Sequence, residues 1–211
     1  MTKIIRAFIY THNPRAVVEF AKWLQSEDVE IISMGNTAIL LKKASIKVTD
    51  ILSFDGWNSG FDIRTSFPLP SLHNSLVADR GSEEALSKIP QFGVRQIDLI
   101  FVNLEPIEEL IKRHGEIENV LKHVDVGILS LLQSAITNYF QVTTIVDWTD
   151  VGKILSEFAS GATEGTTTKE TRYRLAYKAI NYLITYQADL AKHLFVSPPC
   201  PHNCQGCCCS P

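Results

Sequence analysis

The first 199 residues contain no cysteine, and all five thiols of the chain, Cys200, Cys204, Cys207, Cys208 and Cys209, fall in its last twelve residues. Cysteine is normally scattered through cores as a small buried hydrophobe, so this absence divides the chain into a thiol-free body and a thiol-dense tail. An odd count also argues against a closed disulfide framework. Charge excess is lacking too: 20 Lys and Arg against 23 Asp and Glu leave a net charge of −3, which gives no electrostatic case for nucleic acid or an anionic membrane. No window approaches the ~18 apolar residues of a membrane span. The N-terminal run Met1–Tyr10 has neither the sustained apolar region nor the small-residue cleavage site of a signal peptide. Together these absences predict a cytoplasmic protein with reduced thiols and with neither nucleic acid nor membrane as a partner.

What is present reads as alternating strands and helices. Ile4–Tyr10, Val29–Ser33, Ile97–Asn103 and Val142–Val146 are short apolar, β-branched runs of the kind that form buried strands. Asn13-Pro14 signals a helix start, and Val17, Val18, Phe20, Ala21 and Leu24 follow at helical spacing. A turn at Met34–Thr37 leads into a helix over Ala38–Ala44. Further helices are expected at Glu105–His114, Gly127–Ala135 and Asp150–Phe158. Thr167 with Glu170 makes a capping-box pattern for a long helix striped by Leu175, Ala179, Leu183, Leu190 and Leu194. The alternation predicts an α/β domain with a mostly parallel sheet. Ser53–Arg80, with Gly56, Gly60, Pro68 and Pro70 and no sustained period, reads as a long functional loop. It should meet Ser33–Thr37 and Asn103–Pro106 outside the carboxyl ends of the strands, where open parallel sheets bind ligands. The domain is expected to occupy residues 1–196, with a disordered Pro/Cys-rich tail over 197–211.

Several segments in order carry a further signal: Val17–Ala21, Ser33–Ala38 (Ser-Met-Gly-Asn-Thr-Ala), Val48–Asp50, Asn103–Pro106 (Asn-Leu-Glu-Pro), Val124–Gly127 and Glu170–Ala179 (Glu-Thr-Arg-Tyr-Arg-Leu-Ala-Tyr-Lys-Ala). As a set they resemble the IMP cyclohydrolase domain, the N-terminal half of the bifunctional purine-biosynthesis enzyme, in a divergent and free-standing form. The resemblance implies a three-layer α/β/α, methylglyoxal-synthase-like fold, a purine nucleotide ligand, a homodimer and no cofactor for the body. The family reaction closes the second purine ring by attack of an amide nitrogen on a formyl carbon with loss of water. It needs a phosphate grip, proton-moving groups and donors for a developing oxyanion. Carried over by position, Ser33, Gly35, Thr37, Arg64, Asn103 and Gly127 would contact nucleotide and Asp125 would move protons or anchor the ligand. The other reading of Asp125 is a helix cap, for which aspartate is well suited.

The departures from the family pattern fall on its reactive groups. The N-terminal serine-rich loop is replaced by Tyr10–Ala16, with His12 a candidate replacement for its chemistry, and the second glycine of the nucleotide turn is Asn36. The family's lysine positions hold Ser66 and Thr137, its tyrosine position Glu105, and a bare-backbone position Ile128. A hydroxyl cannot supply an ammonium, and losses inside one catalytic unit are strongly non-additive. The expectation is therefore a domain without the ring-closing activity, with an active purine-nucleotide cyclohydrolase that closes formyl-AICAR to IMP as the alternative. The tail offers its own chemistry. Cys200, Cys204, Cys207, Cys208, Cys209 and His202 have the ligand types for zinc, copper(I) or an iron–sulfur cluster. Equally, they could form a short peptide, carried by the body as a leader, for a tail-modifying enzyme, or an inert terminus.

Overall fold

The computed structural model describes residues 3–51, 70–78, 80–81, 95–160 and 165–196. Five strands, β1 (Arg6–Thr11), β2 (Glu30–Ser33), β3 (Val48–Asp50), β4 (Leu99–Asn103) and β5 (Thr143–Ile145), form one sheet in the order β3-β2-β1-β4-β5. Every pairing is parallel, and the register sets Phe8 beside Ile32 and Ile100, and Ile9 beside Ser33 and Phe101. Ala7, Phe8 and Ile9 are all buried, as are Leu99, Ile100, Phe101 and Val102. A strand covered on both faces reads as a continuous apolar run rather than an alternating one, which is why these two strands were legible as strands.

The helices are α1 (Val18–Ser26), α2 (Gly35–Lys43), α3 (Pro70–Val77), α4 (Ile107–His114), α5 (Ile117–His123), α6 (Val126–Thr137), α7 (Val151–Ala159) and α8 (Lys169–Val196), with 3₁₀ turns at Pro14–Val17 and Trp148–Asp150. Side chains alternate across a strand, so Ile9, Ile31, Leu99 and Phe101 face one layer. There they form a core with Val17 of the 3₁₀ turn, Phe20 and Leu24 of α1, Val151 and Ile154 of α7, and Leu175 of α8. Phe20 also stacks on Trp23, which meets Phe158 edge-on at 4.9 Å. Phe8, Ile32, Ile100 and Val102 point the other way, and α6 covers that face with buried Leu131 and Leu132. This gives the three-layer α/β/α architecture expected of a methylglyoxal-synthase-like domain. Each large side chain fully buried here is worth roughly 1.5–3 kcal/mol.

The chain divides into two compact units, residues 1–105 with 125–183, and residues 106–124 with the chain from 184 onward. The second unit contains α4, α5 and the last part of α8. In α4, Glu108 and Glu109 occupy the first turn and Lys112, Arg113 and His114 the last, matching the helix dipole at both ends. Gly115, at φ +70°, ends that helix in a conformation costly to a side chain. His114 and His123 stack at 3.6 Å within this unit.

Three local expectations are corrected. The helix after β2 starts at Gly35 rather than Ala38, because Gly35 takes φ +56° and Met34 is extended, so the chain enters α2 at once. Within the segment read as a loop, Pro70–Val77 is helical; proline is preorganised for a first helical turn, and residues 52–69 lie outside the described residues. The cap of α8 is Thr168, not Thr167. Thr168 Oγ1 accepts the Thr171 N–H at 3.1 Å, and the reciprocal carboxylate is Glu157 from α7, which accepts the Thr168 N–H at 2.9 Å. Thr167 instead pairs with Thr143 at 2.8 Å and receives the buried Arg172 guanidinium. Among the described residues no single helix is long and apolar enough to cross a membrane.

Candidate functional site

All five strands run the same way, so Thr11, Ser33, Asp50, Asn103 and Ile145 end at one edge of the sheet. From β1 the chain proceeds outward through β2 to β3, then returns beside β1 and proceeds outward the other way from β4 to β5. The order reverses between β1 and β4, and a ligand crevice opens outside the strand ends at such a switch point. Thr11 to Asn13 and Asn103 to Glu105 flank it.

On the β2 side, the Ser33 hydroxyl is fully buried and donates to the Ile9 carbonyl at 2.7 Å. Thr37, also buried, accepts the Thr11 N–H at 3.1 Å and donates to the Thr11 carbonyl at 2.9 Å. Both hydroxyls therefore fasten β1 to the turn and the helix that follows β2. What the turn presents outward is backbone. The first intrahelical bond of α2 runs from Ala38 N–H to the Met34 carbonyl, and Met34 provides no side-chain cap. The N–H groups of Gly35, Asn36 and Thr37 thus precede the ladder, in the position where a helix start attracts phosphate. Nothing lies within 4 Å of a Cβ built on Gly35, so its need for glycine is conformational rather than steric.

On the β4 side, Asn103 is half-buried. Its carbonyl accepts the His12 N–H at 2.9 Å and its side-chain amide donates to the Val146 carbonyl at 3.2 Å. Leu104 N–H donates to the Tyr182 hydroxyl at 2.7 Å. Burial pushes the Tyr182 phenol above its ordinary value, and its bond to the Leu104 backbone offsets part of the rise. His12 is exposed at the crevice.

Asp125 caps α6: its Oδ1 accepts the Ile128 N–H at 3.0 Å. Gly127 lies in the first turn of the same helix. Thr137, where the resemblance expects a lysine, donates its hydroxyl to the Ser134 carbonyl at 2.7 Å, inside its own helix. His73 shares a 2.7 Å bond with Ser134. Arg64 and the tail residues Cys200, His202, Cys204, Cys207, Cys208 and Cys209 lie outside the described residues. Among the described residues no group of three or more His, Cys, Asp or Glu side chains is placed to hold a metal ion.

The structure thus gathers Ser33, Gly35, Thr37 and Asn103 at one strand edge, with the hydroxyls turned to the protein's own backbone. The sequence reading missed Tyr182, which lies in the packing stripe of a long helix and carries no motif. It also missed the cluster beyond β5. There Lys178 binds Asp147 at 2.8 Å and Asp150 at 2.7 Å, and Arg174 binds the buried Asp150 at 2.9 Å. The spacing of Arg174 and Lys178, one helical turn apart, was the available signal.

Comparison with known proteins adds kinship. No protein-family model matches the chain. It is 35% identical over 192 residues to the bifunctional purine biosynthesis protein PurH of Ruminiclostridium cellulolyticum, and 35% identical over 190 residues to that of Listeria monocytogenes. In both cases the match takes in 90% of this chain and 37% of the relative, so the chain spans little more than a third of the proteins it matches. Among solved structures, that of ForH superposes with a TM-score of 0.80 at 23% identity, covering 92% of this chain and 98% of that one. That likeness carries the fold.

Proposed function

We infer that this chain, a relative of the IMP cyclohydrolase part of PurH, is a divergent domain of that type that binds a purine nucleotide at the C-terminal edge of its sheet. In this reading it does not close the purine ring, and it acts as the carrier of its cysteine-rich tail. The observation that carries the reading is the use made of the polar side chains. Backbone donors at the start of α2 remain suited to a phosphate. Ser33 and Thr37 spend their hydroxyls on β1, Asp125 caps its own helix, and Thr137 bonds its own helix where the family pattern has an ammonium. What supports binding is backbone alone, while Asp125, the one expected proton-moving group, is committed to a cap and Thr137 offers no ammonium; a positioned proton-transfer group commonly contributes ~10²–10⁴ in rate.

The direct test incubates the purified full chain with the formylated aminoimidazole-carboxamide ribonucleotide and follows IMP by chromatography. The expected outcome is that no IMP forms from this substrate, while IMP added in a separate calorimetric titration binds. Clear turnover that disappears in Asp125→Asn overturns the inactive reading in favour of an active cyclohydrolase. For the tail, intact mass and metal content of the protein from its native host are expected to show added mass on Cys200–Cys209 or a stoichiometric metal. An unmodified, metal-free tail under anaerobic conditions removes the carrier role.

A further inference from the structure

The peptide that leaves β4 is a single rigid plane carrying the Asn103 carbonyl on one side and the Leu104 N–H on the other. The carbonyl is held by His12, at the exit of β1, and the N–H by the phenol of Tyr182, 78 residues further along the chain. The strand ladder does not require the second bond, because β4 ends at Asn103, paired with Thr11. Leu104 is buried, so without Tyr182 its N–H would lack both water and a protein acceptor. Among the described residues, the other hydrogen bond of Tyr182 runs from its own proton to the Leu104 carbonyl, at 3.5 Å. An ordinary phenol is already a neutral hydroxyl at neutral pH. One plane at the switch point is pinned at both ends, once by the neighbouring strand and once by α8.

We propose that Tyr182 is a positioning residue for the ligand crevice between β1 and β4, fixing the Asn103–Leu104 peptide and with it the direction in which Asn103 leaves the strand. This rests on the nucleotide reading above. With IMP as the probe, calorimetric titration of the full chain compares wild type with Tyr182→Phe and Asn181→Ala, the latter altering a side chain that bonds only the Tyr177 carbonyl on the outer side of α8. Tyr182→Phe is expected to weaken IMP about tenfold, the size of effect by which residues that do not touch a ligand can change its binding through packed contacts. It should also speed hydrogen exchange at the Leu104 amide while leaving the rest of the amide spectrum in place. Asn181→Ala should bind as wild type. If wild type binds IMP and Tyr182→Phe binds it equally well, the positioning role is overturned and the nucleotide reading stands. If wild type itself does not bind, both fall together.

Discussion

The two ends of the β-sheet are built from different chemistry. At the N-terminal edge, Asp98 accepts the backbone N–H groups of Ile5 and Arg6 on one oxygen and the Arg80 guanidinium on the other, at 2.5 Å, with both side chains almost wholly buried. Arg80 also donates to the Ile97 carbonyl at 2.6 Å. Beside it, Glu30 gathers Arg6, Arg95 and Thr49. The middle of the C-terminal edge, by contrast, is held by Ser33, Thr37, Asn103 and Tyr182, all neutral and all bonded to backbone. Charge locks one end, and uncharged groups shape the other. The buried Asp98–Arg80 pair is matched charge to charge, whereas neutral clamps hold a backbone cradle without competing for an incoming anion.

The contrast predicts an ordering of losses. Asp98→Asn leaves Arg80 buried without its counter-charge, the situation in which breaking a buried pair costs about 3–5 kcal/mol. Urea denaturation at neutral pH should show that loss as a lower midpoint with an unchanged slope. A cost below about 1 kcal/mol would mean the N-terminal edge is no lock, and the comparison would fail. Next comes Thr37→Val, which keeps the shape and removes one oxygen serving two buried backbone groups of Thr11. Its expected cost is roughly 1–3 kcal/mol, smaller than at the charged end because no formal charge is stranded. It should also weaken IMP, since α2 then loses its tie to β1. Equal affinity in Thr37→Val would confine that threonine to the core.

How far the sequence disclosed this arrangement follows from the range of the interactions involved. β1 and β4 are apolar on both faces, and Asp125 is a local cap, so both were readable from neighbours in the chain. The parallel sheet followed from the alternation of elements, whereas its strand order, and with it the switch point, did not. Asp98–Arg80, Glu157–Thr168 and Tyr182–Leu104 were not readable, because each joins residues separated by 11 to 78 positions through groups with no pattern of their own. The start of α2 was misplaced because a glycine followed by asparagine reads as a turn, while here a single positive φ at Gly35 is the whole turn. The polar residues of the C-terminal edge were found through resemblance. That their hydroxyls face inward is a fact of packing that no spacing reveals.

The smallest effect lies where the C-terminal edge does carry charge, beyond β5. Hydrogen bonding to Lys178, then to the Thr149 backbone, lowers the Asp147 carboxyl. Burial alone would lower Lys178, but its bonds to Asp147 and Asp150 outweigh that and raise it. A lowered carboxyl contributes stability that is present above its unfolded value, about 3.9, and is lost as pH falls through the folded value. A raised ammonium contributes stability that is present below about 10.4 and is lost as pH rises through the folded value. Lys178→Met should therefore flatten both the acid and the alkaline limbs of the stability profile and cost little between them. Because Asp147 and Lys178 are each more than a third exposed, screening holds the neutral-pH loss to about 1 kcal/mol or less. Chemical denaturation across the pH range, in low and high salt, reads this directly. A variant with wild-type limbs would show that this ion pair is a surface contact, and that the neutral character of the C-terminal edge extends to its margin.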